Sequence, residues 1–245
     1  MDIQRLKPHF PWITLLVLVT IVGIADPSFL KPANLLSLAG DIVPLFIMAL
    51  GLTFAIYIGG IDLSAQSMAN MITVVASVYL APLGIWVAAL CILAGFTLGT
   101  LSGYLTTRMY VPSFISTLAV GGICFSVAQW LSGNRALNMD ATQRNETFGW
   151  MIGRTGIVPH ELFIAIGLLA ICLLIERRTV LGRALKAVGA GGVLNTAIGT
   201  LIVAVIRASM LYFGIAATQQ QMVFGLVLIA AIALTIDRSK LRTVK

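Results

Sequence analysis

Apolar runs of bilayer length dominate this chain. A helix needs about 20 predominantly apolar residues, within a range of roughly 17 to 25, to cross the hydrocarbon of a membrane. Eight runs approach or meet that length: Phe10–Ala25, Asp41–Ile58, Leu63–Leu80, Leu83–Thr106, Pro112–Leu131, Glu161–Ile175, Gly192–Phe213 and Gln219–Ile236. The first and sixth are the shortest. Of the 245 residues, 59% are hydrophobic and only 10% are charged, whereas soluble domains run nearer a quarter charged. Bilayer rather than water is the solvent such a composition requires. The expected fold is all-α: a polytopic transmembrane helical bundle of about eight spans, built as a single transmembrane domain over residues 1–245.

Charge sets the orientation. The net charge is +7, which in a soluble protein would raise nucleic acid as a partner. Here the basic residues sit in short loops and tails, so no nucleic-acid partner is expected. With an even span count both termini share one side. If that side is the cytoplasm, eleven basic residues lie inside, among them Arg5, Lys7, Arg108, Arg177 and Arg238, and four lie outside: Lys31, Arg135, Arg144 and Arg154. The positive-inside rule therefore places both termini in the cytoplasm. The first run also has the look of a signal peptide, with a basic start and small residues at Gly23–Ala25. A retained span is the preferred reading, because Pro11 suits the first turn of a helix. Two loops stand out: Ser132–His160, external and polar, and Glu176–Gly191, internal and basic.

Three segments carry further information. In Gly59-Gly60-Ile61-Asp62-Leu63-Ser64, two glycines end one span and Asp62 or Ser64 can cap the next helix. The plain reading is a tight turn. The functional reading is a helix break exposing backbone to a translocation path, where irregular backbone is tolerated because it lines a cavity. In Thr179-Val180-Leu181-Gly182-Arg183-Ala184-Leu185-Lys186-Ala187-Val188-Gly189, apolar residues recur at helical spacing, with Arg183 and Lys186 off that face. Such a helix lies on the lipid surface or docks into a groove on a cytoplasmic partner, and the pattern leaves both open. Gly95, Gly99 and Gly103 form a ladder with four-residue spacing that lets helices approach closely, within the chain or between subunits. Of the embedded charges, Asp41 is expected at the outer end of its span. Arg207 lies mid-span, facing a wet cavity or a partner.

Several chemistries are disfavoured. There is no Gly-x-x-x-x-Gly-Lys-Ser/Thr phosphate loop, so ATP is not bound here in that way. The only histidines, His9 and His160, lie at span ends, and Cys91, Cys124 and Cys172 have no disulfide or metal spacing. No metal site and no cofactor are expected in this chain. No facing catalytic groups support a membrane enzyme. No span holds two carboxylates, which weakens an ion- or proton-coupled secondary transporter; it stays as the alternative, with Asp41 and Asp62 its thin support. A translocator driven by something else fits best.

Ala49-Leu50-Gly51-Leu52-Thr53, followed by Gly59-Gly60-Ile61-Asp62-Leu63-Ser64, resembles the signature of ribose-type ABC sugar permeases. Pro112-Ser113-Phe114-Ile115-Ser116-Thr117-Leu118 resembles a segment opening a later span in that family. Residues 178–190 resemble its cytoplasmic loop, and the stretch from Gly192 through Gln221-Met222-Val223-Phe224-Gly225 to Asp237-Arg238 is similar to its final spans. The resemblance implies a permease subunit of a bacterial ABC importer in the inner membrane, carrying a monosaccharide or related polyol. It implies three partners: a second permease subunit, a cytoplasmic ATP-binding subunit that carries the ATP, and a periplasmic sugar-binding protein. Thr179, Leu181, Gly182, Arg183 and Lys186 would form the ATPase coupling loop, at about residues 176–191. Gly59, Gly60, Asp62 and Ser64 would form the helix break beside the path. The family has about ten spans. Here Ala190-Gly191 runs straight into Gly192-Val193-Leu194-Asn195, so about two spans are absent at that junction.

Overall fold

In a computed structural model of the chain, the described residues are 10–180, 182, 193–215, 219–220, 222–223 and 225–226. Two compact units make it up, one of residues Met1–Ala39 and Ile198–Lys245, the other of Gly40–Ala197. The elements are helical apart from one two-residue strand pair.

In the first unit, α1 covers Phe10–Ala25. Asp26 then opens a short 3-10 turn at Pro27–Leu30, its carboxylate accepting the Ser28 amide at 2.8 Å. Proline at the first position of that turn has no amide to leave unpaired. Bonds from the Ser28 side chain and amide hold the Asp26 carboxyl below its ordinary value. Val22 and Phe29 pack with Val205 and Ala208. Phe29 meets Tyr212 edge to face, with ring centroids 5.5 Å apart, the arrangement that places a ring's positive edge on its neighbour's negative face.

Helix α2, Pro32–Asp41, runs on into α3, Val43–Tyr57. Together they are long and apolar enough to be one span, bent by 49° at the break. The Asp41–Ile58 run therefore begins a helix earlier than its hydropathy suggests. Exposed Asp41 sits at the bend rather than at the start of a helix.

In the second unit, α4 covers Ala65–Leu83, α5 Trp86–Thr107 and α6 Ser113–Ser132, and each is long and apolar enough to cross a membrane. Met71 and Val75 of α4 pack with Val120, Cys124 and Ala128 of α6. Helix α5 joins them through Gly95, where an added methyl would meet Ile72 at 3.6 Å, and through Thr106, whose hydroxyl lies 2.7 Å from that of Ser116. The far side of α5 is apolar and bare: Ile92 is 74% and Phe96 71% exposed. In water such a face is a liability; in lipid it is the contact with solvent. Among the described residues there are three such spans, or four if the bent pair is one. Most of the Gln219–Ile236 run falls outside the described residues.

The Ser132–His160 stretch is more ordered than its polarity suggests. Asp140 accepts the Gln143 amide at 2.9 Å and so caps α7, Ala141–Ile152, by occupying an otherwise orphaned N-terminal donor. Strands β1 (Arg154–Thr155) and β2 (Val158–Pro159) then pair antiparallel. Helix α8 covers Glu161–Arg178 and α9 covers Val193–Tyr212.

Candidate functional site

Helix α3 ends by a local rule. The Gly60 amide bonds Ala55 O and the Gly59 amide bonds Ile56 O, both at 2.9 Å, while Gly59 takes the left-handed conformation at φ 72°. This is a Schellman motif, which satisfies the last helical carbonyls and needs glycine where a Cβ would crowd the following carbonyl. Gly59→Val should cost about 1–2 kcal/mol, read as a lowered unfolding midpoint of the detergent-solubilised protein.

Beyond Gly60 the chain is not helical until Ala65. Asp62 Oδ1 accepts the Ser64 amide at 2.8 Å and the Ser64 hydroxyl at 2.6 Å. The carboxylate thus makes a turn with the residue two ahead. Neither Asp62 nor Ser64 caps the α4 amides in the expected way; Ser64 is the N-cap residue but makes no side-chain capping bond.

What holds Ile61–Ser64 is the start of α6. The Ile61 amide donates to Ser113 Oγ at 3.1 Å. The Thr117 hydroxyl accepts the Leu63 amide at 3.2 Å, and lies 3.2 Å from the Ile61 carbonyl. A turn further on, an added methyl on Gly121 would meet Ser64 Cα at 3.4 Å. Ser113, Thr117 and Gly121 recur every four residues and so share one helix face. The irregular segment leaves backbone polar groups without helical partners, and the Ser113 and Thr117 side chains supply them. The four-residue spacing was visible in the sequence; its partner segment was not.

A second constellation lies just before the break. Tyr57, 1% exposed, donates its hydroxyl to Glu176 Oε1 at 3.0 Å. The backbone amide of Val193 bonds the same hydroxyl. One turn earlier, Thr53 Oγ1 lies 2.6 Å from Thr196 Oγ1. Glu176 precedes the basic loop and Val193 follows it, so both flanks of the loop converge on the end of α3.

Of the loop itself, Thr179 closes α8, its hydroxyl donating to Ile175 O at 2.6 Å and accepting the Gly182 amide at 3.0 Å. A methyl on Gly182 would collide with the carbonyls of Ile175 and Glu176, because the chain folds back across the helix end there. Leu181, Arg183 and Lys186 lie outside the described residues. Among the described residues, an added methyl in the glycine ladder would meet a neighbour at Gly95 and none within 4 Å at Gly99 or Gly103. Arg207 is exposed, Cys91, Cys124 and Cys172 are free thiols, and among the described residues no cluster of His, Cys, Asp and Glu could hold a metal.

The described helices thus include apolar spans, and side chains of α6 brace the break between α3 and α4. A family model described as the branched-chain amino acid transport system, permease component, matches residues 34–192, and the chain belongs to that family. It is similar to the ribose import permease protein of Escherichia coli, with 33% identity over 184 residues, 72% of this chain and 56% of that protein. It is 28% identical to the ribose import permease protein of Haemophilus influenzae over 73% of this chain and 56% of the relative. It is 26% identical to the fructose import permease protein of Bifidobacterium longum over 76% and 56%. The chain thus spans about half the length of the curated relatives it matches. The family match ends at residue 192. No solved structure matches.

Proposed function

We propose that this chain is the membrane-spanning permease subunit of a bacterial ABC importer for a monosaccharide or related polyol, seated in the inner membrane with about eight spans and both termini cytoplasmic. The observation that carries this reading is the identity to ribose import permeases over nearly three quarters of the chain. Two such subunits form the path. A cytoplasmic ATP-binding subunit supplies ATP hydrolysis, and a periplasmic sugar-binding protein delivers the substrate. The whole chain acts as one transmembrane domain, with the loop at about residues 176–191 as its coupling element. Open space at Gly99 and Gly103 suits close approach of the second permease subunit.

The arrangement supports a coupling route. A push on the basic loop reaches Glu176 and Val193, then Tyr57, then the Gly59–Ser64 break two residues on. Arg183 and Lys186 give the loop its charge, and Thr179 and Gly182 fix where it leaves α8.

The test is co-purification and uptake in cells expressing the chain with its ATPase and binding protein. Labelled ribose and fructose should enter only when the ATPase is present. Arg183→Glu should abolish ATPase association while leaving the permease in the membrane. Intact association would remove the loop from the docking role. Uptake that persists without the ATPase and follows an ion gradient would instead establish a secondary transporter.

A further inference from the structure

A membrane-spanning helix has little reason to carry an exposed polar stripe, yet α4 carries one. Gln66, Asn70, Thr73 and Ser77 fall at i, i+4, i+7 and i+11, which puts them on one face. The first three are exposed and Ser77 is half-buried. Facing lipid, that stripe would be penalised, since nothing in hydrocarbon replaces the lost hydrogen bonds to water. Three of the four, Asn70, Thr73 and Ser77, line instead a cavity of about 450 Å³ between α4, α6 and residues 134–137, within the range of small-molecule sites.

The lining has a definite chemistry. Asn70, Thr73 and Ser77 line it from α4, Phe125 and Gln129 from α6, and Arg135 from the loop beyond. The Thr73 and Ser77 hydroxyl protons bond their own helix at 2.9 Å, which leaves their lone pairs to accept. Among the described residues the side-chain amides of Asn70 and Gln129 make no hydrogen bond, and each both donates and accepts. Phe125, half exposed, offers a flat apolar face. Among the described residues Arg135 is the one charge lining the cavity, and no carboxylate does. A zwitterionic amino acid would leave its ammonium without a counter-ion, and a desolvated unpaired charge is costly. A neutral polyhydroxylated molecule has hydroxyls that match the amides and a C–H face that suits the ring.

We infer that this cavity is a sugar-contact site on the translocation path, selecting a neutral monosaccharide over an amino acid. It rests on the importer reading and gives the sugar of that reading a place in the fold. It also puts substrate contact about two helical turns beyond the Gly59–Ser64 break, which is left to move rather than to bind.

Ser77→Cys in the full complex tests this. In right-side-out vesicles a water-soluble maleimide should label it well above the parent chain, whose own three cysteines lie in apolar helices. Ile92→Cys, on the bare face of α5, should stay at background. Ribose or fructose should slow the labelling of Ser77→Cys and leucine should not. Asn70→Leu and Gln129→Leu, each added separately, should raise the sugar concentration needed for protection by about tenfold, the worth of one net hydrogen bond. Labelling of Ser77→Cys no faster than of Ile92→Cys overturns the proposal, because the cavity is then dry. Protection by leucine overturns the substrate class. Labelling unaffected by either probe overturns the site alone if ATP-dependent sugar uptake persists. If that uptake is absent too, it overturns the importer reading with it.

Discussion

Tyr57→Ala is expected to be the most damaging single substitution in the second unit, lowering stability by about 3–5 kcal/mol, the range for truncating a large buried side chain. The residue is 1% exposed and its hydroxyl joins α3 to Glu176 at the end of α8 and Val193 at the start of α9. Packing against lipid-soluble neighbours does not spare the loss, because helix association in a bilayer depends on van der Waals fit. Tyr57→Phe separates the two contributions. It keeps the ring and removes the hydroxyl's bonds to the Glu176 carboxylate and the Val193 amide, the first alone costing about 1.5–3 kcal/mol. Under the coupling route proposed above, Tyr57→Phe should also let ATP hydrolysis continue while sugar uptake per ATP falls. The measurement is the ratio of uptake to hydrolysis in proteoliposomes holding the complete transporter. An unchanged ratio would show that the loop signals by another path.

Thr117→Val is the second. Valine matches threonine in shape, so the packing of α6 survives, but the Leu63 amide loses its acceptor and the Ile61 carbonyl loses a neighbouring hydroxyl. Leaving a fully buried donor unpaired costs about 1–3 kcal/mol, and this part-buried one should fall toward the lower end. The functional loss should exceed that figure's modest effect on folding, because the segment released is the break itself. Uptake should fall sharply with ATPase association intact, and Thr117→Ser, which restores the hydroxyl, should recover most of it. Normal uptake in the valine variant would mean that Ser113 and Gly121 suffice to hold the segment.

Much of the fold was legible because the bilayer imposes a simple rule on sequence. The α1 bounds agree with the Phe10–Ala25 run, and α4, α5 and α6 lie within a few residues of theirs, since long uninterrupted apolar runs have one stable solution in lipid. The misses have local causes. Helix α2 went unseen because Pro32, Asn34, Ser37 and Asp41 dilute its hydropathy, and α7 because a capped polar helix has no apolar stripe to detect. Asp62 was expected at a helix start and instead bonds Ser64, a choice between two short-range geometries that composition does not settle.

By itself, the sequence determined that the chain lives in a membrane, that its spans are helices, and that the glycine pair at 59–60 ends one of them. Each of these follows from local chemistry: apolar length, backbone saturation, the left-handed preference of glycine. Only the tertiary structure decided that Thr117 answers the amide of Leu63, 54 residues away, that Tyr57 reaches Glu176 across 119, and that Asn70 and Gln129 share a cavity. Those are pairings between faces of different helices. In a bundle whose helices are apolar nearly all round, few sequence features record which face meets which; packing and the need to satisfy each buried polar group select the pairs.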